Sequence, residues 1–318
     1  MAENHDPAGT RLVHRQHKPT DSIPQFTSTL YACAMKDFDQ LRSVLELEKI
    51  EDNLYRGQSY RTPWGRVFGG QVVAQSIHAA QLTTPDNRLL HSMHAYFLLA
   101  GDIDRPIVYD VERVRDGGSY TTRRVKAIQK GRAIFSMEAS FQVPEEGFSH
   151  QQTMPQVTPP EGLQSDREIG EALREQAPEF YRLSRLERPV ECRPVGGADL
   201  YTSTNTQTKQ NIWIKAKGSL PDSDRMHQVA LSYVSDYNLL ATALLPHRHR
   251  LNNSKVFLAS LDHAMWFHRP FRFDDWLLYS MQSPSAGSAR GFARGDIYTR
   301  QGELVASVAQ EGLIRTGR

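Results

Sequence analysis

The same order of elements is written twice in this chain. Gln71–Leu82 (QVVAQSIHAAQL) combines helical propensity with apolar residues on most faces, which predicts a helix buried nearly all round. Four strand-like runs follow it, His94–Leu99, Ile107–Arg115, Tyr120–Gln129 and Ala133–Gln142, divided by Gly-Asp, Asp-Gly-Gly and Lys-Gly turns. In the second half Asn211–Lys217 reads as a strand and Met226–Leu245 as a long helix. Leu258–Phe267, Trp276–Ser283, Arg290–Thr299 and Glu303–Ile314 then read as strands. Landmarks recur at a spacing of about 170 residues: His94-Ala95 with His263-Ala264, Tyr109 with Tyr279, and Gly131 with Gly302.

This repeat constrains the fold. Each half is one helix followed by an antiparallel meander, and a sheet with one apolar face and one helix to cover it wraps around that helix. Two such halves side by side can pair their sheets and remove an exposed edge. The expected class is α+β, two tandem helix-in-sheet repeats. Residues 31–143 form the first repeat and 211–318 the second. Residues 144–210 connect them, broken by prolines at 144, 155, 159, 160, 178, 189 and 194, with one short helix around Arg167–Gln176. Leu41, Val44 and Leu45 add a short helical stripe, and residues 1–30 read as a mobile tail.

Composition narrows the function. Over 318 residues, 39% hydrophobic and 23% charged, the chain is of globular and not disordered type. Lys plus Arg is 38 against 36 for Asp plus Glu, a net charge of +2, so nucleic acid is not an expected partner. No apolar run approaches the ~18–20 residues that span a bilayer, so no membrane association is expected. The two cysteines, Cys33 and Cys192, have neither disulfide-framework nor metal spacing and fit a reducing compartment. The mixed-charge N-terminal segment lacks the pattern of a signal or transit peptide, and a cytoplasmic location is expected.

Polar residues that interrupt a buried pattern mark candidate sites. The second helix carries Ser232 and Asp236 beside Val229, Tyr233 and Leu240. In the last strand Gln310 is the one polar side chain in the row Leu304, Ala306, Val308, Gln310, Gly312 and Ile314. Ser260 falls on one face with Asp262 and Ala264, with His263 pointing the other way. Each has a plainer reading: a cap for Asp236, a satisfied backbone group for Gln310, a small filler for Ser260. His247-x-His249 is a possible metal pair without a third ligand at a recognisable spacing, and Arg290 and Arg294 could meet phosphates or simply face solvent. Gly69-Gly70 is no dinucleotide fingerprint, and neither a GxSxG elbow nor a Walker loop is present.

Four blocks resemble the acyl-CoA thioesterase II family: Phe68-Gly69-Gly70-Gln71, Ser235-Asp236-Tyr237-Asn238, Leu261–His268 (LDHAMWFH) and Val305–Gly312 (VASVAQEG). The resemblance runs from about Leu41 to Arg315 and implies a double hotdog fold. It also implies hydrolysis of fatty acyl-CoA to free acid and CoA, with no cofactor and no metal. Carried over by motif, the family's catalytic Asp, Thr or Ser, and Gln fall on Asp236, Ser260 and Gln310. The expected partners are the acyl-CoA substrate and further copies of the chain, as a dimer or tetramer. Peroxisomal members end in Ser-Lys-Leu, whereas this chain ends Thr-Gly-Arg. A hotdog enoyl-CoA hydratase is the alternative enzyme, but its D-x-N-P-x-H helix is absent, since Leu239-Leu240-Ala241 follow Asp236-Tyr237-Asn238. A non-catalytic acyl-CoA sensor on the same fold is the alternative of another class.

Overall fold

The computed structural model describes residues 35–202, 206–250 and 256–316. The expectations placed on residues 1–34, Cys33 included, lie outside these. The first part runs α1 (Phe38–Leu45), β1 (Glu48–Glu51), β2 (Leu54–Gly57), α2 (Gly69–Leu82), β3 (Leu89–Phe97), β4 (Ile107–Asp116), β5 (Tyr120–Gln129) and β6 (Arg132–Gln142). The connecting stretch holds α3 (Asp166–Ala172), α4 (Pro178–Ser184), β7 (Val190–Pro194) and α5 (Asp199–Thr202). The last part runs β8 (Lys209–Ala216), α6 (Asp224–Ser235), a 3-10 stretch (Leu240–Arg250), β9 (Val256–Ser260), β10 (Asp262–Phe267), β11 (Leu277–Gly287), β12 (Arg290–Thr299) and β13 (Leu304–Thr316).

One sheet collects the strands in the order β1-β2-β4-β5-β6-β3-β10-β13-β12-β11-β8-β7, with β9 added to β13. The two halves join where β3 pairs antiparallel with β10, Ala95 opposite His263 and Met93 opposite Met265. This junction gives each meander a partner in place of an open edge. α2 and α6 lie antiparallel inside the wrap. α2 is buried nearly all round, as its composition predicts, and its buried glutamines bond to neighbouring backbone: Gln75 Nε2 reaches Val44 O and Gln58 O, and Gln81 Nε2 reaches Arg225 O. Such pairing is what makes buried amides tolerable in a core.

The repeat landmarks divide into matches and a slip. Tyr109 and Tyr279 are both buried in the core, and Gly131 and Gly302 both turn their hairpins with left-handed backbone, φ 71° and 89°. His94 is exposed while His263 is fully buried, so the His-Ala match is displaced by one residue and joins opposite faces of the sheet.

Two expected elements are broken where the site lies. The helix expected over Met226–Leu245 ends at Ser235, with Asp236 as its C-cap; Asn238 then takes left-handed backbone at φ 61°, and a 3-10 stretch containing Pro246 follows. The strand expected over Leu258–Phe267 is interrupted at Leu261, and the pairing with β13 slips by one residue there. Ser260 and His263 therefore both reach inward, contrary to strict alternation. No helix among the described residues is long and apolar enough to cross a membrane.

Candidate active site

The C-terminus of α6 meets the N-terminus of α2. Two consecutive glycines permit this. A Cβ on Gly70 would collide with Tyr233 O and the Phe68 ring, and one on Gly69 would lie 2.7 Å from Asp236 Oδ2. Phe68 caps α2 without a side-chain hydrogen bond, and the Gly70 N–H in the first turn is left for another acceptor. The Gly70 N–H donates to Asp236 Oδ2 at 3.0 Å. A carboxylate held at a helix N-terminus is favoured by the aligned peptide dipoles.

Asp236, Ser260 and Gln310, singled out separately as pattern breaks, come together here. Gln310 projects from β13 and is fully buried. Its Nε2 donates to Asp236 Oδ1 at 2.9 Å and to Ser260 Oγ at 2.8 Å. A carboxylate oxygen can only accept, which sets the amide orientation, and both amide hydrogens are then used. Ser260 Oγ, already an acceptor, keeps its own hydrogen to give. Between the Ser260 hydroxyl and the Asp236 carboxylate a water could accept one hydrogen bond and donate another. Burial pushes the Asp236 carboxyl up to about 6, against the opposing pull of the bonds from Gln310 and Gly70. A carboxylate so placed is a base near neutral pH.

Aromatic side chains wall the site. Tyr60 Oη lies 3.0 Å from Tyr233 Oη, which accepts from Tyr237 at 3.3 Å, and the Phe68 ring packs edge-on to Tyr233 with centroids 5.1 Å apart. The opposite junction of the helix pair differs. The C-cap of α2 is Thr83, and the Arg225 guanidinium bonds the carbonyls of Gln81, Thr84, Pro85 and Arg88. A cleft of about 310 Å³ toward that end, lined by Leu90, His91, Asp224, Gln228 and Phe271 among others, contains none of the three site residues.

The weaker sequence candidates find other uses. Arg290 pairs with Glu311 at 2.9 Å. No metal-holding group of His, Cys, Asp and Glu occurs among the described residues, and the His249 side chain lies outside them. Cys192 is buried, which pushes its thiol up to about 12 and leaves it inert. Sequence reasoning missed the contact of Gly70 with Asp236, for which the Gly-Gly pair was the available signal. It also missed His263, whose Nε2 lies 2.9 Å from Ser235 Oγ, because strict alternation aims that side chain outward.

Comparison with known proteins points one way. The family model described as acyl-CoA thioesterase matches residues 181–313, and that described as acyl-CoA thioesterase N-terminal domain matches 59–142. Acyl-CoA thioesterase 2 of Haemophilus influenzae is 41% identical over 278 residues, covering 87% of this chain and 97% of that protein. Human acyl-coenzyme A thioesterase 8 is 41% identical over 284 residues, with 86% and 88% covered. The crystal structure of an acyl-CoA thioesterase II from Mycobacterium marinum superposes with a TM-score of 0.72 at 42% identity, covering 87% of this chain and 98% of that one. A hot dog fold protein from Alicyclobacillus acidocaldarius, at 18% identity, shares the fold with a TM-score of 0.69 over 87% of this chain and 98% of its own.

Proposed function

The chain belongs to the acyl-CoA thioesterase family, whose reaction is thioester hydrolysis, and on that premise we propose that Asp236, Ser260 and Gln310 activate the attacking water on a fatty acyl-CoA. One observation carries the reading: a single buried amide, Gln310 Nε2, bonds both Asp236 and Ser260, so the base and the hydroxyl are held at a set separation. Ser260 donates to the water oxygen, and Asp236 accepts a water proton as the oxygen attacks the thioester carbonyl. The tetrahedral oxyanion forms beside the start of α2, whose aligned peptide dipoles stabilise developing negative charge. As it collapses the C–S bond breaks, and the proton held by Asp236 passes to the departing thiolate. Free acid and CoA result.

Ser260 is the weaker choice for a covalent nucleophile. Its Oγ accepts from Gln310, an amide that takes no proton, and no histidine among the described residues bonds it.

The test is CoA release, followed by a thiol-reactive dye, over acyl-CoAs from acetyl to palmitoyl, with Asp236→Asn run alongside. Release by the native chain that falls by about 10²–10⁴-fold in the variant is expected for loss of a general base. Near-native turnover by Asp236→Asn removes Asp236 from the mechanism. Tight acyl-CoA binding without turnover favours the sensor reading.

A further inference from the structure

The last turn of α6, which ends on Asp236, is tied down by an unusual set of bonds centred on Ser235. The Ser235 hydroxyl lies 2.8 Å from Ser232 O and 2.9 Å from His263 Nε2. A carbonyl only accepts, so the arrangement that satisfies both contacts sends the hydroxyl hydrogen to Ser232 O. His263 then donates through Nε2–H. The Ser235 carbonyl in turn accepts from Tyr279 Oη at 2.8 Å. Two carbonyls that the ending helix leaves without intrahelical partners are thus satisfied, and strands β10 and β11 both anchor the turn.

His263 is costly for a purely structural residue. It is fully buried, and its Nδ1 has no hydrogen-bond partner among the described residues. An unpaired buried ring nitrogen is a desolvation penalty that an apolar side chain would not incur. The first repeat supplies an internal comparison. The inward positions of β3 that flank the same junction are Met93 and Ala95, both apolar and buried. There the corresponding helix ends on Thr83 and not on a carboxylate. The buried imidazole occurs in the repeat that carries Asp236.

The placement is demanding. Asp236 must meet Gly70 N–H at 3.0 Å on one oxygen and Gln310 Nε2 at 2.9 Å on the other. These partners come from α2 and β13, so a small shift of the α6 terminus breaks one bond or the other. Misplacement of a reacting group by about 1 Å can cost about 10²-fold in rate.

We infer that His263 is a positioning residue for the hydrolysis: through Ser235 it holds the α6 terminus at the height where Asp236 faces Ser260 and the start of α2. The inference rests on the catalytic reading of Asp236 given above.

Three variants test it in the full chain: His263→Leu, which removes the donor at similar volume; Ser235→Ala, which removes the same bond from the other side; and His263→Gln, whose Nε2 can replace the donor. The readouts are kcat, KM, the acid limb of the pH–rate profile and near-UV circular dichroism. His263→Leu and Ser235→Ala are expected to lower kcat at least about tenfold, with KM within about twofold and a displaced acid limb. The His263→Leu/Ser235→Ala double variant should cost little more than the worse single one, because the bond between the two residues is already lost in each. His263→Gln should recover most of kcat and the native acid limb. A folded His263→Leu or Ser235→Ala with native kcat and acid limb overturns the inference, as do fully additive losses. Should His263→Leu fail to fold, the Ser235→Ala and His263→Gln results decide alone. Asp236→Asn separates this from the parent reading. Native turnover there removes the catalytic assignment, whereas an inactive Asp236→Asn beside a native Ser235→Ala removes only the role of His263.

Discussion

At the scale of single residues, the role proposed for Asp236 ties activity and stability to pH in opposite senses. Its carboxyl titrates near 6 in the folded chain against an ordinary value of 3.8. Between those values the folded state keeps a proton that the unfolded state has lost, so stability falls as pH rises through the window, by about 3 kcal/mol in all. With Asp236 in the proposed role, activity runs the other way, because a base must be ionised. The kcat/KM profile should therefore lose activity below about pH 6. A profile flat to about pH 4.5 would separate Asp236 from proton transfer. Asp236→Asn has no charge to bury, though it keeps only one good acceptor. Its thermal stability should fall less than the native chain's between about pH 4 and about pH 7.5, leaving an inactive variant more stable by about 1–3 kcal/mol at the upper end. Parallel melting curves for the two proteins across that range would show that the buried charge is not a cost. The three candidate residues stand out in the sequence because Asp236 and Gln310 interrupt apolar patterns and Ser260 directly precedes the LDHAMWFH block. Their convergence was not, since it depends on Gln310 reaching across from β13 to a helix terminus and to another strand.

At the scale of elements, the approach of α2 to α6 governs the site. Gly70→Ala sets two effects against each other. Alanine favours a helix by about 1 kcal/mol over glycine, while the new methyl would press on Tyr233 O and the Phe68 ring. Neither neighbour can yield easily, one being backbone and the other packed against Tyr233 and Tyr237. Overpacking of this kind costs about 1–3 kcal/mol, so a net loss of stability is expected. It should come with at least a tenfold loss of kcat, roughly the penalty of moving a reacting group. Gly118→Ala, where a methyl meets open space, is the matched control and should leave kcat unchanged. Gly70→Ala with native kcat would show that the helix ends need not touch. Most elements were readable from period and turn chemistry: β5 spans Tyr120–Gln129 and β12 spans Arg290–Thr299, as the runs between turns indicate. The expected helix overran at Asp236 because Leu239, Leu240, Leu244 and Leu245 prolong an apolar pattern past the left-handed Asn238. Period alone does not register such a stop.

At the scale of the whole molecule, the site is shared between the repeats. Asp236, Ser260 and Gln310 all lie beyond residue 211, yet the N–H that bonds Asp236 belongs to Gly70, and the Phe68 ring that packs on Tyr233 and Tyr237 precedes it. The second repeat also lacks a free-standing sheet. Asp262–Trp266 of β10 pair with Ser92–Tyr96 of β3, so removal of the first repeat exposes that strand edge directly beside Ser260 and His263. An open edge there invites non-native pairing, and the buried face of α6 would lose α2, on which it rests. A fragment of residues 206–316 should therefore release no CoA from any acyl-CoA, although it contains every side chain assigned to the chemistry. Co-expression with residues 35–202 should restore release, because each fragment offers the other the β3–β10 pairing and the α2–α6 contact. Restoration should be incomplete, since separating the halves replaces an intramolecular contact of high effective concentration with a bimolecular one. Dilution of the reconstituted pair should then reduce specific activity, which the intact chain does not show. Turnover by the isolated 206–316 fragment would mean that the second repeat carries the whole site, with Gly70 merely adjacent to it.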